Sequence, residues 1–141
     1  MSADPSRLAD LVQELSRTLR QAHRDRLDPL GLTPAQGRTL VVLQRSGRPL
    51  RMAELAAALR IVPRSATGVV DLLEEAGLVS RTTDPASRRA VLVEPTPDGR
   101  ALLADLAEAR AAAAEELFAP LDAAERDTLL TLLERASDPA R

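Results

Sequence analysis

The sequence predicts a mostly α-helical fold that carries a single β-hairpin, and three observations support this. Aromatic side chains are nearly absent, with Phe118 the only one, so leucine, valine and alanine must build the core. These apolar residues recur at three- and four-residue spacing, which is the periodicity of amphipathic helices. Two short segments, 78–83 and 90–94, are instead rich in β-branched residues, which is typical of strands.

The first two helices are bounded by clear signals. Residues 6–27 form an amphipathic segment that ends where proline and glycine follow. Thr33, Pro34 and Gln36 then form a capping box, because threonine caps the helix, proline takes its first position and glutamine its third. The second helix is therefore predicted to start at 34 and to run to about 46.

Two short helices follow in the middle of the chain. The first is predicted over 52–59, and a three-residue link, 60–62, connects it to a second helix that begins at Pro63 and is closed by Gly77. Two short helices joined by a tight turn form the helix-turn-helix pattern.

The hairpin comes directly after this pair of helices. Its predicted strands, 78–83 and 90–94, are separated by a charged tip, 84–89. A hairpin in this position is a wing, so the fold class is a winged helix-turn-helix with six helices.

The chain ends in two further helices. Thr96 and Pro97 open one that runs to about Phe118, and Asp122 caps the last. We expect one domain over residues 1–141.

Within that domain, the outer helices and the middle of the chain have separate roles. The segments 6–30 and 98–137 are predicted to hold the dimerisation helices, and 34–95 the winged helix-turn-helix DNA-binding lobe.

The composition excludes several kinds of function. The chain has no cysteine and one histidine, His23, which excludes thiol chemistry and clustered histidine or cysteine metal sites. No catalytic constellation, metal site or cofactor motif is found. No apolar run is long enough to cross a bilayer and no signal peptide is evident, so a cytoplasmic protein without a membrane partner is expected.

The charge is unevenly distributed along the chain. The net charge is −2, but all basic residues other than histidine are arginines, and six of them fall between Arg38 and Arg64 beside a single acid, Glu54. A basic middle within an acidic helical frame indicates a nucleic-acid partner.

Four segments together resemble the MarR family (multiple-antibiotic-resistance regulators), in order and spacing, across roughly residues 30–104. They are Leu55-Ala56-Ala57-Ala58-Leu59, Val70-Asp71-Leu72-Leu73-Glu74-Glu75-Ala76-Gly77-Leu78-Val79, Asp84-Pro85-Ala86-Ser87-Arg88-Arg89 and Thr96-Pro97-Asp98-Gly99-Arg100. The resemblance implies a dimer whose two lobes address a palindromic operator on double-stranded DNA. It also implies a repressor, often released by a small aromatic or phenolic ligand.

A helical wheel of residues 63–76 separates an apolar face from a polar face. Only the N-terminal half of the polar face lacks acids, so this half is expected to enter the major groove, with Arg64 reading guanine. We predict a DNA-binding surface made of Arg51, Arg60, Arg64, Ser65, Thr67, Gly68, Arg88 and Arg89. Within it, Arg51 and Arg60 flank the third helix and are expected to clamp phosphates.

The wing and its support also have predicted roles. Similarity to the family implies that Arg89 enters the minor groove and that Arg88 contacts phosphate. Asp71 is expected to brace the wing by pairing with Arg81 or Arg89. Gly68 has two interpretations: close approach of the helix to DNA, or a tolerated residue that marks a weakened contact.

The dimer interface is predicted from apolar positions on the first and last helices. These positions are Leu8, Val12, Leu15, Leu19, Leu129, Leu132 and Leu133. A small-molecule effector could enter a pocket between the dimer helices and the lobes, for which His23 is a weak candidate ligand residue.

Two functions remain open on the sequence alone. The first is a sequence-specific DNA-binding transcriptional regulator, a repressor released by a small molecule. The alternative is a winged-helix protein-interaction module that has lost DNA binding, which Gly68, Ser87 and the negative net charge would favour.

Overall fold

A computed structural model describes residues 2–138 and 140, and it contains the six predicted helices in the predicted order. They are α1 (Pro5–Leu27), α2 (Pro34–Ser46), α3 (Met52–Leu59), α4 (Pro63–Glu75), α5 (Pro97–Phe118) and α6 (Ala123–Ser137). Three strands accompany them: β1 (Leu50–Arg51), β2 (Val79–Asp84) and β3 (Ser87–Pro95). A short 3-10 turn, Asp28–Leu30, lies between α1 and α2.

Capping side chains fix the starts of three helices. Thr33 Oγ1 accepts the Gln36 N–H at 3.3 Å, and Gln36 Oε1 accepts the Thr33 N–H at 2.7 Å. Asp122 and Glu125 form the same reciprocal pair at the start of α6. Thr96 caps α5 by accepting a backbone N–H. The predicted starts of α2, α5 and α6 are confirmed, because each cap satisfies backbone donors that the first turn leaves free.

The sheet is antiparallel, with β3 between β1 and β2. The sequence gives no sign of β1, since a two-residue strand is too short to show an alternating pattern. Its pairing of Leu50 with Val93 attaches the segment before α3 to the wing.

The second wing strand is longer than predicted and the first is shifted by one residue toward the tip, so the expected six-residue tip, 84–89, is wrong. Asp84 pairs with Ser87, and only Pro85 and Ala86 form the turn. The cause is the Asp84 carboxylate, which accepts the Ala86 N–H at 2.9 Å and so closes a tight turn, as aspartate often does.

One hydrophobic core lies between the helices of the lobe and the sheet. Leu40 on α2, Leu55 on α3, Val70 and Leu73 on α4, and Val93 on β3 have no solvent exposure. Burial of each such side chain is worth about 1.5–3 kcal/mol. The core therefore fixes α4 and the wing as parts of one rigid lobe.

The long helix α5 is joined closely to this lobe. Thr96 Oγ1 donates to the Gly77 carbonyl oxygen at 2.6 Å. A side chain at Gly99 would collide with the Leu78 carbonyl, so α5 can approach the start of β2 only because residue 99 is glycine.

The outer helices bury little of their own surface. α1 packs along α5, yet its only buried residue is Leu27, and α6 buries none of its residues. Among the residues that the structure describes, no helix combines the length and the apolar character needed to cross a bilayer.

Candidate nucleic-acid interface

The second helix of the helix-turn-helix, α4, buries one face and exposes the other. Ala66, Val70 and Leu73 have no solvent exposure and point into the core. The predicted reading residues Arg64, Ser65, Thr67 and Gly68 are all exposed. The orientation expected from the helical wheel is thus observed.

The N-terminus of α4 points outward. Its cap is Val62, which has no side-chain acceptor, and the Val62 carbonyl accepts the N–H groups of Ser65 and Ala66. Thr67 donates its hydroxyl to the Pro63 carbonyl at 3.1 Å, which leaves the hydroxyl oxygen free to accept. This end of the helix presents donors and a partial positive charge, both of which suit a phosphate.

Gly68 lies in open space on the exposed face of α4. A Cβ added there would meet no atom of the rest of the protein within 4 Å. Packing therefore gives no reason for glycine at this position, although glycine costs a helix about 1 kcal/mol relative to alanine.

The wing arginines lie in an irregular part of β3. The regular pairing ends at Thr83 with Val91, and the next pair joins Asp84 to Ser87. Residues 88–90 are consequently looped out of the ladder as a bulge. Arg88 and Arg89 in this bulge are exposed, and within residues 2–138 neither forms an ion pair.

Arg81 connects the wing to α4. Its Nη2 lies 2.5 Å from Asp71 Oδ1, and its Nη1 lies 3.3 Å from Glu74 Oε1. The pairing of Asp71 is thus with Arg81, one of the two arginines expected from the sequence, and Glu74 is an additional partner.

Arg51 forms an ion pair with Asp84, a partner that no pattern in the sequence predicts. Its Nε and Nη2 both donate to Asp84 Oδ2, at 3.0 and 2.6 Å. The Ala86 N–H, and after it the Arg51 guanidinium, lower the pKa of Asp84. The two residues are 33 positions apart, and no local motif signals their contact.

A second ion pair holds the start of α3. Arg48 donates to the Glu54 carboxylate at 2.5 and 3.3 Å, and Glu54 also accepts the Arg51 N–H at 3.1 Å. These contacts, led by the hydrogen bond from Arg48, lower the pKa of Glu54 from 4.5 to about 2. Arg60 lies at the other end of α3, exposed and in a left-handed conformation with φ 55°.

A concave surface of about 600 Å³ lies between α3, α4 and the wing. Its lining includes five of the polar residues described above: Arg51, Thr67, Asp71, Arg81 and Arg89. The structure therefore brings Arg51, Thr67 and Arg89 together at one surface. The other predicted DNA-binding residues do not line it: Arg60, Arg64, Ser65, Gly68 and Arg88.

Four of the seven predicted dimer positions are exposed on the outer helices. Leu8 and Val12 on α1 are 54% and 49% exposed, and Leu132 and Leu133 on α6 are 51% and 44% exposed. The other three, Leu15, Leu19 and Leu129, are half-buried.

Two adjoining clefts separate the outer helices from the lobe. One, of about 640 Å³, lies between α1, α2 and α5, and the other, of about 650 Å³, reaches the C-terminal end of α3. They share His23, Val41, Arg45 and Arg110. Burial, and to a smaller extent the charge of Arg110, lowers the pKa of His23 below 6.5.

The lining of these clefts is basic and apolar. Further arginines at their walls are Arg20, Arg24, Arg38, Arg60 and Arg100. No carboxylate lines either cleft in the described part of the chain, nor do residues 2–138 and 140 contain three or more histidine, cysteine or acidic residues grouped as a metal site.

Comparison with known proteins gives a consistent family match. A sequence model of the MarR family matches residues 30–90. The chain is 34% identical over 134 residues to the HTH-type transcriptional repressor Rv2887 of Mycobacterium tuberculosis, a match that covers 94% of this chain and 95% of that protein. It is also 37% identical over 106 residues to a Thauera aromatica protein; that match covers 74% of this chain and spans 63% of that protein's length.

Solved structures agree with the sequence relatives. The crystal structure of RV1404 from Mycobacterium tuberculosis has a TM-score of 0.86 and 27% identity, with 99% of this chain and 97% of that chain covered. The apo form of wild-type MarR from E. coli has a TM-score of 0.78 and 27% identity, with 98% and 100% covered. The winged helix-turn-helix fold predicted from the sequence is confirmed.

Proposed function

This chain belongs to the MarR family of DNA-binding transcriptional regulators, and we propose that it acts as a homodimeric repressor that a small organic anion releases from a palindromic operator. Its relatives over nearly the full length include a named transcriptional repressor, which supports repression rather than activation.

The observation that carries the proposal is the position of the exposed arginines. Arg64 stands on the exposed face of α4, and Arg88 and Arg89 are exposed on the wing; none of the three forms an ion pair within residues 2–138. Arginine can bond a guanine bidentately in the major groove, and it is drawn to the negative potential of a narrow minor groove. We assign base reading to Arg64, minor-groove contact to Arg89 and phosphate contact to Arg88 and Arg60.

Ser65, Thr67 and Gly68 complete the reading surface. The two hydroxyls lie one and three residues beyond Arg64 on the outward-facing part of α4, where they can bond phosphate or base edges. The open space at Gly68 supports close approach of α4 to the duplex, since the side chain that is missing there would face outward.

Dimerisation is supported by the exposed leucines of the outer helices. Helices α1 and α6 present apolar faces that the chain leaves open to water, including Leu8, Val12, Leu132 and Leu133. Burial of such faces is favourable at about 25 cal/mol per Å². A second copy, related by two-fold symmetry, would cover them and place two α4 helices in successive major grooves.

Effector release is supported by the two basic clefts. They lie where α1 and α5, the helices of the outer frame, meet α2 and the end of α3 in the reading lobe. Arg45 and Arg110, together with His23, offer donors to an anion, while Val41 and Leu103 offer apolar contact. A bound ligand would therefore contact both parts of the molecule and bias their relative position.

The test is a binding titration of the purified full chain on its own upstream DNA, at several salt concentrations. We expect saturable, salt-sensitive binding to one short palindrome that exceeds binding to unrelated DNA. The interaction-module alternative predicts no preference for that DNA. Binding of equal strength to every sequence would refute the proposed repressor.

A further inference from the structure

Arg51 and Asp84 form an ion pair at the wing, and none of the DNA-contact roles assigned above involves this pair. Asp84 Oδ2 accepts two hydrogen bonds from the Arg51 guanidinium, at 3.0 and 2.6 Å, and Oδ1 accepts the Ala86 N–H at 2.9 Å. Both carboxylate oxygens are thus occupied, and only 11% of the Asp84 side chain is exposed.

The backbone of Arg51 is also fixed. It belongs to β1 and pairs with Leu92 on β3, and its N–H donates to Glu54 at 3.1 Å. Because the Asp84 side chain is mostly buried and the Arg51 backbone is fixed, the pair loses less conformational freedom than two mobile surface side chains would, although 49% of the Arg51 side chain is exposed.

The ion pair lies at the end of the wing where the regular pairing of β2 with β3 has stopped. Beyond Thr83 and Val91 the regular ladder stops, and residues 88–90 loop out. The turn at Pro85–Ala86 is therefore connected to the rest of the lobe mainly through Asp84. The side chain of Arg51, from the start of α3, fixes that connection.

We propose that Arg51 is a positioning residue, which with Asp84 sets the place of the wing tip that carries Arg88 and Arg89, and that it is not the phosphate clamp expected from the sequence. The inference rests on the proposed contact of the wing with DNA. The proposed role explains why the carboxylate of Asp84 lies close to the proposed DNA-binding surface, where its negative charge would otherwise repel the DNA phosphates.

The substitution Asp84→Asn separates the two roles by the sign of its effect. A phosphate clamp would gain from the change, because Arg51 would be released and a negative charge near DNA removed. A positioning pair would lose the wing geometry, so we expect operator affinity to fall about tenfold, the scale of one lost charge-assisted contact. The matched control is Glu75→Gln, which removes an exposed acid of α4 that forms no ion pair within residues 2–138 and should not weaken binding.

Arg51→Lys gives a second, independent readout. Lysine keeps the positive charge but cannot direct two donors at one oxygen as the guanidinium does. A clamp would retain most of its affinity, whereas a positioning residue would lose about as much as in Arg51→Ala.

The closing experiment is a double-mutant cycle in the full chain, by anisotropy titration on the operator. We expect Arg51→Ala and Asp84→Asn together to weaken binding no more than either alone, and the effect to disappear when Arg88 and Arg89 are both replaced by alanine. Circular dichroism and thermal melting check that each variant folds. Tighter binding of Asp84→Asn, or additive losses, would overturn the inference, whereas an unmodified chain that binds no DNA would overturn the proposed function instead.

Discussion

Arg81 Nη2 lies 2.5 Å from Asp71 Oδ1, and this ion pair joins the first strand of the wing to α4. Because Arg81 is occupied in this way, and Arg51 is occupied by Asp84, the concave surface retains Arg89 as the arginine that meets no acid within residues 2–138. The lobe therefore holds Arg51 and Arg81 in ion pairs and leaves Arg89 available for the proposed contact with DNA.

The first prediction follows from this division. Arg89→Ala should weaken operator binding about tenfold or more, because it removes a cation from the strongly negative minor groove. Fluorescence anisotropy on labelled operator measures the affinity, and sedimentation checks that the dimer is intact. Arg17→Ala, on the side of α1 opposite the leucine positions, is the matched loss of charge and should bind as the parent does. An unchanged affinity in Arg89→Ala would remove the wing from the mechanism.

The second prediction concerns Gly68. Alanine at this position should raise the free energy of unfolding by about 1 kcal/mol, since it favours the helix and its methyl group meets no protein atom. The same methyl group should weaken operator binding if α4 approaches the DNA backbone closely. Denaturant titration measures the free energy of unfolding of the purified variant, and fluorescence anisotropy on labelled operator measures its affinity for DNA. A variant that is more stable and binds with undiminished affinity would show that the glycine is merely tolerated.

The third prediction concerns the basic clefts and His23. Burial, and to a smaller extent the charge of Arg110, lowers the pKa of His23 in the free protein, which favours the neutral imidazole. A bound anion favours the charged imidazolium and raises that pKa, so its affinity should increase as pH falls from about 8 to 5.5. The other charged groups that line these clefts are arginines: Arg20, Arg24, Arg38, Arg45, Arg60, Arg100 and Arg110.

Calorimetry with benzoate as the probe, which stays ionised over this pH range, tests the third prediction. The His23→Gln variant should bind benzoate with an affinity that does not change with pH. Affinity that is independent of pH in the unmodified chain, or that falls on acidification, would contradict the assignment of His23 to an anion site.

The fourth prediction concerns acid stability. The pKa of Glu54 is lowered to about 2 in the folded protein, chiefly by its hydrogen bond from Arg48. A carboxylate with a lowered pKa stabilises the fold above its ordinary pKa, and this contribution disappears as pH falls from about 4.5 to 2. A double-mutant cycle of Glu54→Gln and Arg48→Ala, at one protein concentration, should show coupling at pH 7 that vanishes near pH 2. Coupling that persists at pH 2 would refute the ion pair.

Most of the fold could be predicted from local chemistry. Thr33, Thr96 and Asp122 cap helices through bonds to residues three positions away, so their signals lie within a few letters of the sequence. The buried face of α4 likewise follows from helical periodicity, which places Val70 and Leu73 on one side.

The features that could not be predicted depend on contacts between distant residues. β1 exists because Leu50 and Arg51 find partners on β3 more than 40 positions away, and two residues carry no periodic signal. Arg51 was expected to contact phosphate because its flexible, charged side chain is exposed beside a short helix. Its engagement by Asp84 depends on the bulge after Thr83, which only the folded sheet reveals.

The most direct test of the central claim is hydroxyl-radical footprinting of the unmodified chain on its upstream DNA. We predict two protected stretches on one face of the duplex, about one helical turn or 34 Å apart, produced by two copies of the chain. Protection of a single stretch by one copy, or no protection at all, would contradict a paired repressor.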